Sequence, residues 1–254
     1  MLLVVDAGNT HTVLGLYEDD ELVHHFRIQS ARGRTEDEYL VMITSLLQSV
    51  GLDVDDVTAS ILGSVVPTLT DSLVRALRRC FEHEPIVVGP GIKTGMPILY
   101  ENPREVGADR IVNAIAAFER VRGGLIVVDF GTATTFDCVS IRGEYLGGAI
   151  APGIKLSAEA LFSRAARLPK IEISKPPHAV GRNTVHSMQS GLIYGYVALV
   201  DGMVERLRSE MDYPVTVLAT GGEAVLIASE SRTIDSVDEY LTLDGLRILY
   251  GRQR

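Results

Sequence analysis

The feature that most constrains this chain is that its opening segment occurs twice. Residues 2–22, LLVVDAGNTHTVLGLYEDDEL, lie over residues 125–145, LIVVDFGTATTFDCVSIRGEY, at an offset of 123 with no gap. Leu2, Val4, Val5, Asp6, Gly8, Thr12 and Glu21 match Leu125, Val127, Val128, Asp129, Gly131, Thr135 and Glu144. The bland alternative is two hairpins of similar composition. The matches cluster where an apolar run ends on an aspartate and a glycine, which favours duplication.

Each copy reads as strand, tight glycine turn, second strand, polar turn and third strand. The first has LLVVD, THTVLGLYE and ELVHHFRI around the turn Asp19-Asp20; the second has LIVVD, TTFDCVSI and EYLGGAI around Arg142-Gly143. Helical patterns follow. Thr35 and Glu38 form a capping-box signature, with Leu40, Ile43, Leu47 and Val50 on one predicted face. A buried strand at 59–66, a helix at 68–81 and a strand at 85–89 complete the first half. In the second, helices at 155–168 and 184–211 precede a strand at 215–221, a helix from about Glu223, and a last helix over 236–251. The expected halves are therefore 1–120 and 121–254, each βββαβαβ or close to it. Two such halves around a nucleotide cleft describe the actin-like, or sugar-kinase and Hsp70-like, ATPase fold, an α/β class.

Composition narrows the function. The 254 residues carry a net charge of -9, which disfavours a nucleic-acid groove, because phosphate backbones need clustered cations. No apolar run approaches the roughly 20 residues that span a bilayer, and MLLVVDAGNT reads as a first strand rather than a signal peptide. Two cysteines in no metal-like spacing suit a reducing compartment, and no HExxH pattern marks a zinc site.

The turns themselves suggest phosphate. Gly8 and Gly131 let the backbone approach an anion, and Asn9, Thr10 and Thr132 supply donors beside the amide N–H groups. Asp6 and Asp129 would repel a phosphate directly, but each can hold a cation that phosphates also bind. GxxxxGK[ST] and the Rossmann fingerprint are both absent. A third element, ATGG at 219–222, is either a simple strand-to-helix turn or a place where amides meet adenosine or phosphate.

DAGNT, GADRIVNA, DFGTATTFD, GGAIAPGI, GRNTVHSMQSGLIYGY and ATGG, in that order along nearly the whole chain, resemble the type III pantothenate kinases. DxGNT alone is shared with proteins of other activity; GADR, DFGTATT and the threonine of GRNT are more specific. The resemblance implies ATP-dependent phosphorylation of pantothenate, the first step of coenzyme A synthesis. It implies that Asp6, Ala7, Gly8, Asn9, Thr10, His11, Thr12, Val13 and Thr132 contact ATP; Asp6, as a strand-end carboxylate beside phosphates, is also expected to serve Mg²⁺, directly or through water. The resemblance makes Asp109 the proton acceptor and Tyr100, Gly107, Ala108, Asp109, Arg110 and Thr184 the pantothenate site. Asp129 becomes the ligand of a monovalent cation, K⁺ or NH₄⁺. The family is bacterial, cytoplasmic and homodimeric.

Taken singly, these residues have plainer readings. Asp109 can serve a helix start, where a carboxylate favours the dipole. Arg110 can pair with Glu105 instead of a substrate carboxylate, Tyr100 can be a half-buried packing residue, and Thr184 can cap the helix after it. Met188, Leu192, Tyr196, Leu199 and Met203 follow a helical core spacing, while Gly191, Gly195 and Gly202 on the same helix permit a close helix crossing in a dimer. Two other functions compete. One is a catalytically silent ATP-binding regulator of the same fold, which need not keep GADR and Thr184. The other is an actin-like phosphotransferase for a sugar or acyl phosphate, usually a longer chain.

Overall fold

A computed structural model of the chain describes residues 1–89, 91–165 and 167–254. It forms two compact units. One comprises Met1–Gly95, Asn102–Ala116 and Thr242–Arg254, the other Met96–Glu101 and Ala117–Leu241.

In the first unit, strands β1 (Leu2–Ala7), β2 (His11–Glu18), β3 (Glu21–Gln29), β4 (Ala59–Ser64) and β5 (Ile86–Val87) form one sheet in the order β3-β2-β1-β4-β5. The hairpin strands run antiparallel, and β4 and β5 run parallel to β1 and to β4 respectively. One face of the sheet packs Leu3, Val5, Ala7, Leu14, Leu16 and Leu62 against helices α1 (Glu36–Ser49) and α2 (Pro67–Phe81). Thr35 caps α1 with the full capping box, and Tyr39, Ile43 and Leu47 are its buried residues, Tyr39 rather than Leu40 facing inward. The C-terminal helix α7 (Leu241–Gly251) approaches through glycines: a Cβ on Gly15 would touch Leu243, and one on Gly63 would touch Leu246. Strands covered on both faces read as the continuous apolar runs seen at LLVV and ASIL.

The second unit repeats this order. Strands β6 (Gly124–Phe130), β7 (Ala133–Val139), β8 (Tyr145–Pro152), β9 (Val215–Gly221) and β10 (Ser236–Val237) run β8-β7-β6-β9-β10, with the same pattern of parallel and antiparallel pairs. Helices α4 (Ile154–Arg164), α5 (Thr184–Arg208) and α6 (Ala224–Ala228) cover Ile126, Val128, Phe130 and Phe136. Helix α3 (Ala108–Val121) contributes residues to both units. The predicted helix at 155–168 ends at Arg164, and position 166 lies outside the described residues.

The duplication holds in detail but not at a constant offset. Ala7 pairs with Thr12, whereas Phe130 pairs with Thr134. The pairing of β2 with β3 slips between Leu16 and Tyr17, and that of β7 with β8 slips between Cys138 and Val139. The middle strands are thus 122 residues apart, while Leu22 and Tyr145, the partners of Tyr17 and Val139, remain 123 apart. The first turn of the second half is one residue shorter and the next turn one longer. Thr12 therefore corresponds to Thr134, not to Thr135, and both are fully buried. A second correction concerns the C-terminus. Ser236 and Val237 form a strand parallel to β9, and the last helix begins at Leu241.

Candidate functional site

In the first unit the β1–β2 turn is closed by the Gly8 N–H donating to His11 O at 3.0 Å. Asp6 and Val13 are half-buried and face one another across the pair, Ala7 is buried, and His11 opens β2 half-buried. Asn9 and Thr10 project as the exposed residues. Thr12 does not. Its hydroxyl lies 2.9 Å from Ser30 Oγ, which donates to Gly8 O at 2.7 Å. That pair braces the turn from behind, since the carbonyl it holds belongs to the glycine that would meet a phosphate.

Gly107 and Ala108 precede Asp109 in the first turn of α3, all three half-buried, with Arg110 buried. The Arg110 N–H donates to Asp109 Oδ1 at 2.8 Å. A Cβ on Gly107 would sit 2.5 Å from that same oxygen, so glycine leaves the space the carboxylate occupies. The second oxygen of Asp109 has no hydrogen-bond partner among the described residues. One oxygen is thus anchored at the helix start.

The second unit holds Asp129, Thr132, Tyr100 and Thr184. Gly131 N–H closes the turn on Ala133 O at 3.0 Å, leaving Gly131 and Thr132 exposed. Where Ser30 supports the first turn, the second has Gly153, whose N–H donates to Thr132 O at 3.0 Å. Any side chain at 153 would collide with the carbonyls of Gly131 and Thr132. Asp129 Oδ1 lies in a niche of glycines: a Cβ on Gly221, at φ +94, would be 2.6 Å from it, and one on Gly131 3.9 Å. An oxygen held at a strand end beside a phosphate-type turn suits a hard cation, which takes oxygen ligands. No group of three or more His, Cys, Asp or Glu side chains among the described residues could hold a metal ion unaided.

Tyr100 is partly exposed, its ring tilted against that of Tyr145. Thr184 is the exposed first residue of α5, but it is not the cap. Asn183 is, its side chain accepting from the His186 N–H at 2.8 Å. The cap reading of Thr184 therefore falls.

Beside Gly222 lies a cavity of about 520 Å³, lined by Lys155, Phe162, Ile171, Ile173, Glu223 and Leu226 among others, with Lys155 and Glu223 paired across it. Its volume falls within the range of small-molecule sites.

A family model described as type III pantothenate kinase matches residues 2–206. A type III pantothenate kinase from Anaeromyxobacter sp. (strain Fw109-5) is 59% identical over 254 residues, 100% of each chain. Another, from Myxococcus xanthus (strain DK1622), is 58% identical over 252 residues, 99% of this chain and 98% of that one. The chain belongs to the type III pantothenate kinase family. Among solved structures, an inorganic polyphosphate/ATP-glucomannokinase from Arthrobacter sp. strain KM is similar over 100% of this chain and 99% of that one, at TM-score 0.52 and 12% identity. That likeness is one of fold, the actin-like architecture. In this member of the type III pantothenate kinase family, sequence reasoning did not connect Lys155 with Glu223, an ion pair that no local spacing relates. It also missed the buried Asp137 and Tyr145 behind Tyr100. The available signal was an aspartate between Phe136 and Cys138 in β7.

Proposed function

We propose that this kinase transfers the γ-phosphoryl group of ATP to the primary hydroxyl of pantothenate, yielding 4′-phosphopantothenate, the first step of coenzyme A synthesis. The observation that carries this is the match of the whole chain, at 58–59% identity, to kinases named for that one substrate. In this reading the turn Asp6–Val13 and Thr132 serve ATP. Gly8 and Gly131 let backbone N–H groups reach phosphate oxygens, and Asn9, Thr10 and Thr132 add side-chain donors. The cavity beside Gly222 takes the nucleoside. Tyr100, Gly107, Ala108, Arg110 and Thr184 position pantothenate, with the Arg110 guanidinium suited to its carboxylate. Asp109 accepts the hydroxyl proton as the oxygen–phosphorus bond forms and the bond to the β-phosphate oxygen breaks.

Asp6, directly or through water, and Asp129 are the residues that would hold Mg²⁺ and K⁺ or NH₄⁺. Such cations neutralise the charge of the phosphates. We place the enzyme in the cytoplasm. Cys80 and Cys138 are thiols outside any disulfide, and no helix among the described residues is long and apolar enough to cross a membrane. The repeat halves 1–120 and 121–254 then supply one turn each.

Asp109→Asn tests the chemistry. The amide keeps the size and can still accept from Arg110 N–H, so the fold should lose under about 1 kcal/mol. A lost base costs about 10²–10⁴-fold in rate, roughly 3–5 kcal/mol in the barrier. The variant should fold, bind ATP normally and turn over at least about a hundredfold more slowly. A folded variant with near-normal kcat would remove Asp109 from the mechanism.

A further inference from the structure

The second unit buries a carboxylate that the proposed chemistry does not use. Asp137, on β7, is fully buried. Its Oδ1 accepts the hydroxyl of Tyr145, also fully buried, at 2.6 Å, and its Oδ2 accepts from Thr135 Oγ1 at 3.1 Å. Burying an ionisable group in a sheet is costly, and an apolar side chain would fill the same space without that cost. What the carboxylate adds is direction, because it fixes where the Tyr145 ring stands.

Tyr145 in turn organises the segment that ends in Tyr100. Its N–H donates to Pro97 O and its carbonyl accepts from Leu99 N–H, both at 2.8 Å, around a parallel bridge between Ile98 and Tyr145. The Tyr100 ring then lies against the Tyr145 ring, centroids 6.5 Å apart and planes tilted by 55°. Its edge rests over Gly147, where a Cβ would come within 3.3 Å of Tyr100 Cδ2 and Cε2. Gly147 also sits at φ +111, a conformation that L side chains rarely adopt. The Tyr100 ring is thus held by backbone bonds on one side, a locked ring on another and a missing side chain beneath.

We propose that Asp137, Tyr145 and Gly147 are positioning residues for pantothenate, acting through the ring of Tyr100. The inference rests on the reading that Tyr100 touches pantothenate. It assigns the buried carboxylate to the acceptor substrate rather than to ATP or to stability alone.

The test measures kcat, the KM of each substrate and the unfolding midpoint for Tyr145→Phe, Gly147→Ala and Tyr100→Ala, and for the two pairs with Tyr100→Ala. Tyr145→Phe removes only the hydroxyl but leaves the buried Asp137 carboxylate without that donor, so the unfolding midpoint is read beside KM. Each seat variant should raise KM for pantothenate about five- to tenfold, the scale of one lost hydrogen bond, while KM for ATP stays within about twofold. In the Tyr100→Ala background neither seat variant should raise KM for pantothenate further, because the ring they orient is gone. If Tyr100→Ala leaves KM for pantothenate unchanged, both the reading of Tyr100 and the seat fall. If Tyr100→Ala raises it but the seat variants only lower the unfolding midpoint, or their effects persist without the ring, the seat alone is overturned.

Discussion

A carboxylate at a strand end or helix start needs room for its oxygens, and here glycines leave that room. Gly221 leaves the space around Asp129 Oδ1, as Gly107 does for Asp109 Oδ1. Asp129→Ala should therefore weaken ATP use and blunt stimulation by K⁺ or NH₄⁺ over Na⁺. Activity measured against each chloride salt checks this, and a variant with undiminished potassium dependence would contradict the cation assignment. These residues were legible in the sequence as motif positions. The reason for the glycines was not, because it lies in distances between atoms that no spacing encodes. Asp137 shows the same limit. In the sequence it stands between Phe136 and Cys138, and the structure shows the Tyr145 and Thr135 hydroxyls donating to it at 2.6 and 3.1 Å.

At the scale of elements, local signals read well and non-local ones poorly. Thr35 and Glu38 announced α1 because both partners of the box lie within four residues. The strand at 215–221 was read to the residue. Strand β10 was missed because two residues carry no periodicity, and its place is set by pairing to Leu218 and Ala219. The offset change at the middle strands was hidden because one turn shortens where the next lengthens. Helix α5 offers a test of its anchoring. Asp201 accepts from Ser231 Oγ at 2.6 Å and Thr233 Oγ1 at 2.8 Å, tying α5 to the segment after α6. Burial pushes its carboxyl up, but the Ser231 and Thr233 hydroxyls, the Arg232 N–H and the Arg232 guanidinium outweigh that and hold it below the ordinary 3.8. A depressed folded value means stability present above the unfolded value and lost as pH falls through the folded one. Asp201→Asn should cost about 1–3 kcal/mol at neutral pH. Its deficit against the wild type in urea unfolding should shrink in acid below the ordinary value. A deficit that does not change with pH would show that the charge contributes nothing.

At the scale of the whole molecule, the duplicated sheet order is what places two glycine turns and two strand-end aspartates in one chain. The outer face of α5 carries a further expectation. A Cβ on Gly191, Gly195 or Gly202 would meet nothing within 4 Å among the described residues, so a second helix could approach closely there. Light scattering should give twice the mass of one chain, and a monomer mass at working concentration would remove the dimer. The central claim, however, is a reaction. It is tested most directly by incubating the purified chain with ATP, Mg²⁺ and K⁺ in the presence of pantothenate, a panel of sugars, or acetate, then measuring ADP and identifying the product by mass spectrometry. The account predicts one ADP per pantothenate consumed, a product heavier by one phosphoryl group with the ester at the primary hydroxyl, and no turnover of the other acceptors. ADP release without phosphorylated pantothenate, or preferential phosphorylation of a sugar or acetate, would contradict it.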